Sequence, residues 1–187
     1  MADQPTTTGD WRTLDRRLLV DRSPYARVYD EDVQLPNGEI IKNFVRVELP
    51  DFVIMFVLTQ GNHVAFVRQH RQAVGGDTLE LPAGHMEDGE DPLAAAQREL
   101  REETGLASEN WQSLGKYMID PNRYCGWAYL YFARDAQIVA AADHGDLDTV
   151  TVEFLPLDEV RRIWLKGELI SAPTTLCIGL ALAVLSS

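Results

Sequence analysis

Hydrophobic and polar positions fall along this chain in blocks of changing period. Residues 27–34 and 39–49 have the texture of strands, and between them Leu35-Pro36-Asn37-Gly38 carries the Asn-Gly pair that favours a tight hairpin. Pro50-Asp51 interrupts the pattern. Residues 52–58 are then a continuous apolar run of strand length, and Gln60-Gly61-Asn62 turns the chain into a further strand over 63–69. Several strands before any helix argue for an antiparallel or mixed sheet rather than a doubly wound one. Helix grammar begins at Asp91, a capping residue. Pro92 suits the first turn, residues 93–104 are rich in Ala, Gln, Leu, Arg and Glu, and Gly105 provides a stop. Leu93, Ala96 and Leu100 share the face expected to be buried. Strands follow over 112–119, 128–134 and 151–155, then helices over 157–166 and 173–184 separated at Gly167. The expected fold is α+β, with a polar tail and hairpin in residues 1–50 and the main domain in 51–187.

Charge narrows the function. Against 17 Lys and Arg the chain carries 29 Asp and Glu, a net charge of −12. Such a surface repels a phosphate backbone, so a general nucleic-acid binder is not expected, while an enzyme using metal ions on a small phosphate compound stays open. Residues 176–185, the longest apolar run, fall well short of the ~20 residues of a membrane span. The N-terminus has neither a basic flank nor an apolar stretch, and Cys125 and Cys177 form no disulfide framework and no metal spacing. The expectation is a cytoplasmic protein with both cysteines structural and buried.

The acid density around the first helix is the chemical signal. Glu99 and Glu103 stand on one helical face with Glu102 beside them, a placement that destabilises a helix unless cations neutralise it. Arg98 and Arg101 offset part of the charge, so a solvated, salt-bridged face is one reading. The other is a site for Mg²⁺ or Mn²⁺, hard ions that take carboxylate and carbonyl oxygens, with Gly84, Gly89 and Glu90 in the loop before the helix.

Gly84, Glu90, Arg98-Glu99-Leu100, Glu102-Glu103 and Gly105-Leu106, at these spacings, resemble the complete Nudix box, with all nine specified positions filled across 23 residues. The resemblance implies an α/β/α sandwich with a mixed sheet and an N-terminal β-hairpin extension. It also implies a hydrolase of nucleoside diphosphates linked to another moiety that uses divalent cations. By the same resemblance Glu99, Glu102 and Glu103 are metal ligands, Glu90 supports the loop or a ligand, and Arg98 orients the glutamates. Outside the box, Phe66-Val67-Arg68-Gln69-His70-Arg71 and Leu79-Glu80-Leu81-Pro82-Ala83-Gly84 are similar to the ADP-ribose pyrophosphatase and nucleoside-diphosphate-sugar branch. There the implied roles are phosphate contact for Arg71, the metal–phosphate region for Glu80 and a backbone-carbonyl metal ligand for Ala83. The loop Asp120-Pro121-Asn122-Arg123-Tyr124 departs from the Ser-Pro-Gly of that branch, which leaves the substrate open between ADP-ribose and GDP-mannose, ADP-glucose or another nucleotide. Arg123 either contacts a phosphate or hydroxyl there or solvates the loop. Asp148 holds the branch's general-base position, with Asp146 and Glu153 as alternatives. The resemblance further implies a homodimer through the N-terminal hairpin, with Trp11, Tyr25 or Phe44 as a platform for the nucleobase or as packing. The hairpin and the 173–184 helix are both expected to be extra surface around a small core, consistent with such a dimer. A nucleotide-sensing module without catalysis is the competing class, since a fold alone does not establish activity.

Overall fold

The computed structural model describes residues 10–142 and 150–187, and the chain divides into two compact units. The first comprises the chain up to Pro50 with Met118–Gly126. Here β1 (Arg12–Arg22), β2 (Ala26–Gln34) and β3 (Ile40–Glu48) form an antiparallel meander, with Arg16 opposite Glu31 and Arg27 opposite Glu48. The expected hairpin is β2–β3. Asn37 Oδ1 accepts from the Glu39 N–H at 3.0 Å and Gly38 takes φ 88°, where a side chain would be strained. The additional strand β1 makes the extension three-stranded, and it is exposed along its whole length. In residues 118–126, Asp120 Oδ1 accepts from the backbone of Asn122 (2.9 Å) and Arg123 (3.2 Å), closing the turn.

The second unit comprises Asp51–Tyr117 and Trp127–Ser187. Its strands are β4 (Phe52–Thr59), β5 (His63–Arg71), β6 (Gly76–Glu80), β7 (Ala83–His85), β8 (Leu106–Ala107), most of β9 (Asn110–Asp120) and β10 (Tyr124–Ile138), and β11 (Thr151–Pro156). Its helices are α1 (Pro92–Thr104), α2 (Leu157–Leu165) and α3 (Ala172–Leu185). The sheet is mixed: β4 runs parallel to β10 and antiparallel to β5 and β7, while β5 is antiparallel to β6 and β11.

The two-residue period of the strands distributes side chains to two cores. Val53, Met55 and Val57 of β4 join Ala65, Ala95, Ala96 and Leu100 under α1. Ile54 and Phe56 join Val64, Phe66, Leu130 and Phe132 under α2 and α3, where the Phe56 and Phe132 rings meet edge-on at 5.3 Å. The layers are therefore α/β/α, as expected, with a mixed sheet between the helices. Each fully buried Phe, Ile or Leu contributes roughly 1.5–3 kcal/mol. Alanines at 95 and 96 let α1 approach the sheet closely. Its ends follow the sequence: Asp91 accepts from Leu93 N (3.0 Å) and Ala94 N (3.1 Å), a cap worth about 1 kcal/mol, and Gly105 stops the helix at φ 71°.

Two expectations are corrected. α3 buries Thr174, Cys177, Ile178, Ala181 and Leu182, so it is a core layer rather than extra surface for a dimer. Cys177 is buried, but Cys125 is only partly covered. Among the described residues no helix is long and apolar enough to cross a membrane.

Candidate functional site

Four elements of the second unit assemble the site. α1 presents Glu99 and Glu103 one turn apart toward β7, β7 supplies Ala83 and Gly84, and the adjoining β5–β6 pair supplies Arg71 and Glu80. The glutamates pack closely against β7. The Ala83 N–H donates to Glu103 Oε2 at 2.9 Å, and a Cβ at Gly84 would collide with the Glu99 carboxylate. Gly84 is thus required by space.

Arg98 organises the carboxylates. Its Nε and one terminal nitrogen donate to the two oxygens of Glu90, each at 2.9 Å. The other terminal nitrogen donates to Glu99 (2.7 Å) and Glu102 (3.1 Å), and the His85 carbonyl accepts the fifth bond at 3.1 Å. All five guanidinium donors are used, which fixes three glutamates and the entry loop relative to one another. The bonds from Arg98, helped by the Glu87 N–H, hold the Glu90 carboxyl down to about 2.

Glu99 and Glu103 behave oppositely. Burial raises both, and for Glu103 it outweighs the Ala83 bond, while the Glu99 charge adds to the rise; its carboxyl is pushed up to about 7. Two part-buried carboxylates whose ionisation is opposed by burial and by neighbouring carboxylates form a site that a hard cation would relieve. With Glu99 and Glu102 drawn onto Arg98 and Glu103 onto Ala83 N–H, no three potential ligands surround a single point among the described residues. The donor chemistry nevertheless suits Mg²⁺ or Mn²⁺: Glu103 meets the Ala83 N–H, Glu99 lies against Gly84 and Glu102 is joined to Glu99 through Arg98, so the donors are carboxylate and backbone oxygens with no sulfur or imidazole among them.

Arg71 and Glu80 face each other in a two-bond pair, Nε to Oε1 at 3.1 Å and a terminal nitrogen to Oε2 at 2.7 Å. Both lie close enough to Glu103 to act on its charge, Arg71 favouring and Glu80 opposing its ionisation. Arg68 instead holds Glu153, one of the alternative bases, through two bonds. Arg123 donates to Asp120 at 3.1 Å. In the first unit, Trp11 is 56% exposed, Tyr25 is exposed, and Phe44 is half-buried on β3 opposite Glu31. Asp148 and Asp146 lie outside the described residues. Sequence reasoning missed Thr78, whose hydroxyl donates to Glu80 Oε1 at 2.7 Å. A lone threonine in a short polar strand carries no signal of such a role.

A loop–helix unit that gathers carboxylates beside a paired arginine is the arrangement of a cation-assisted hydrolase of phosphate compounds. A family profile described as NUDIX domain matches residues 49–172, and the chain belongs to the Nudix family of hydrolases, whose members typically use divalent metal ions. Over 104 residues it is 36% identical to the methanol dehydrogenase activator of Bacillus methanolicus; the alignment covers 56% of each chain, about half the length of that relative. It is 31% identical over 166 residues to the ADP-ribose pyrophosphatase of Mycobacterium tuberculosis, covering 87% of this chain and 79% of that one. It is also 31% identical over 176 residues to the CMP-5'-(N-acetyl-N-hydroxy-3-aminopropyl)phosphonate hydrolase of Streptomyces rubellomurinus, covering 94% and 82%. A crystal structure of an ADP compounds hydrolase shares the fold, with a TM-score of 0.81, 19% identity and 96% of each chain covered.

Proposed function

We propose that this chain hydrolyses the diphosphate bond of ADP-ribose or a related nucleoside diphosphate sugar, with Mg²⁺ or Mn²⁺ as cofactor, releasing a nucleoside monophosphate and a sugar phosphate. The observation that carries the reading is the placement of Glu103 and Glu99 against Ala83 and Gly84, with Glu102 tied to Glu99 through Arg98 and the Arg71–Glu80 pair next to Glu103. In this reading the Ala83 carbonyl and the three carboxylates hold the cations. Bound there, divalent ions neutralise the diphosphate and make a water more acidic. Arg98 keeps the glutamates in place, and Arg71 offers the N–H groups not held by Glu80 to a substrate phosphate, for which its fork is suited. Asp148 is the proposed general base. For Trp11, Phe44 and Arg123 the proposed role is recognition of the nucleobase and of a phosphate or hydroxyl. The exposed length of β1 supports a homodimer formed through residues 1–50. The proposed setting is the cytoplasm.

A second substrate reading has its own support. The 120–124 turn departs from the expected loop, and a relative aligned over 94% of this chain is named for a CMP-linked substrate. GDP-mannose, ADP-glucose or another nucleotide conjugate is then the substrate. The test is hydrolysis with Mg²⁺ across ADP-ribose, ADP-glucose, GDP-mannose and a CMP-linked compound, with products separated by chromatography. The favoured reading predicts AMP and ribose 5-phosphate from ADP-ribose at the highest kcat/KM. Preference for another conjugate moves the assignment to the second reading, and no turnover of any compound favours a sensor.

A further inference from the structure

Thr78 is 4% exposed and lies in β6, which pairs with β5. It stands opposite Gln69 of β5, and its side chain points to the same face as Glu80, two residues on. Its hydroxyl has one proton and two close acceptors. Glu80 Oε1 is at 2.7 Å and the Gln69 carbonyl at 3.4 Å, so the proton belongs to Glu80. Glu80 is thereby gripped from two sides, by Thr78 on Oε1 and by the Arg71 fork on both oxygens. Arg71 stands opposite Gly76 and reaches Glu80 four residues further along β6, on the face that Thr78 shares. Among the described residues, two of the five Arg71 donors are engaged by Glu80, and three are left for other acceptors.

We propose that Thr78 is a positioning residue for substrate binding: its buried hydroxyl fixes the Glu80 carboxylate, which in turn aims the free N–H groups of Arg71 at a phosphate oxygen of a nucleoside diphosphate. The inference rests on the hydrolase reading for its ligand, but it concerns binding and is testable apart from turnover. A guanidinium held by one anchored carboxylate loses little further rotamer freedom when an oxyanion arrives. If Glu80 is released from Thr78, the pair swings as a unit and the fork is no longer aimed.

The test is calorimetric binding of a methylene-bridged, non-hydrolysable ADP analogue with Mg²⁺, alongside KM and kcat on ADP-ribose. The proteins are wild type, Thr78→Val, Thr78→Ser, Arg71→Ala and the Thr78→Val/Arg71→Ala double variant. Valine keeps the shape and removes the hydroxyl, whereas serine keeps the hydroxyl. The expected result is about tenfold weaker binding and a KM raised by about the same factor in Thr78→Val, with kcat changed less than threefold. Thr78→Ser stays within about twofold of wild type, and the valine substitution has no further effect once Arg71 is absent. Thr78→Val binding like wild type overturns the proposal. So does an equal loss with and without Arg71, which marks a merely structural residue. Binding without hydrolysis overturns the hydrolase reading alone, and a wild type that does not bind the analogue overturns both.

Discussion

Replacing Glu103 by glutamine should stabilise the metal-free protein while removing its response to magnesium. The Glu103 carboxyl sits against β7, where burial first and the neighbouring Glu99 charge next push it up from an ordinary 4.5 to about 7. A carboxyl with a raised folded value favours the protonated state. Its stabilising contribution is complete below 4.5, where both folded and unfolded chains are protonated. That contribution is lost as pH rises to about 7, because the unfolded chain ionises freely and the folded chain resists. At 1.36 kcal/mol per pH unit, the displacement costs the folded state about 3 kcal/mol above pH 7. Glutamine carries no charge and can still accept the Ala83 N–H, so Glu103→Gln avoids the cost and keeps the bond. For a chain of this length a gain of about 1–3 kcal/mol corresponds to a Tm higher by roughly 2–10 °C. Scanning calorimetry in EDTA should show that gain at pH 8 and almost none at pH 4.5. Addition of Mg²⁺ at pH 8 should raise the wild-type Tm, as a ligand bound only by the folded state does, and leave the variant nearly unmoved. A variant no more stable than wild type in EDTA at pH 8, or one that keeps the full magnesium response, would refute the reasoning.

Other substitutions probe separate parts of the site. Gly84→Ala places a methyl group on the Glu99 carboxylate and should lower kcat by about 100-fold or more with an unchanged circular dichroism spectrum. Arg98→Lys substitutes a three-donor point charge for a five-bond fork, and kcat should fall about 10–100-fold, most sharply at low magnesium when turnover is followed against metal concentration. Glu153→Gln, whose carboxylate is bound by Arg68, should leave kcat within about threefold of wild type, whereas Asp148→Asn should depress it by two orders of magnitude or more; a reversed order would move the base to Glu153.

Local chemistry made α1 legible before any coordinates. Asp91, Pro92 and Gly105 mark its ends, and the 3.6-residue period places Glu99 and Glu103 together. β1 was hidden because its Leu14, Leu18, Leu19 and Val20 alternate irregularly with Arg and Asp pairs, and register shifts near Thr13/Asp15 and Leu18/Val20 break the two-residue period. β6 and β7 are too short and too rich in Gly and polar residues to show a period of their own; their pairing with β5 and β4 defines them. α3 did carry a signal for burial, since a helix that is apolar around most of its circumference belongs inside a core. The bonds from Arg98 to the loop before α1 and the Arg71–Glu80 pair join residues across strands and loops, so spacing along the sequence could not reveal them.

The most direct test of the account is cleavage of ADP-ribose under a magnesium titration, with wild type compared against Glu99→Gln and Glu103→Gln. The account predicts AMP and ribose 5-phosphate from the wild type, abolished by EDTA and restored by Mg²⁺, with both variants slower by orders of magnitude though folded. Turnover that persists in EDTA, or variants that match wild type at every magnesium concentration, would contradict it.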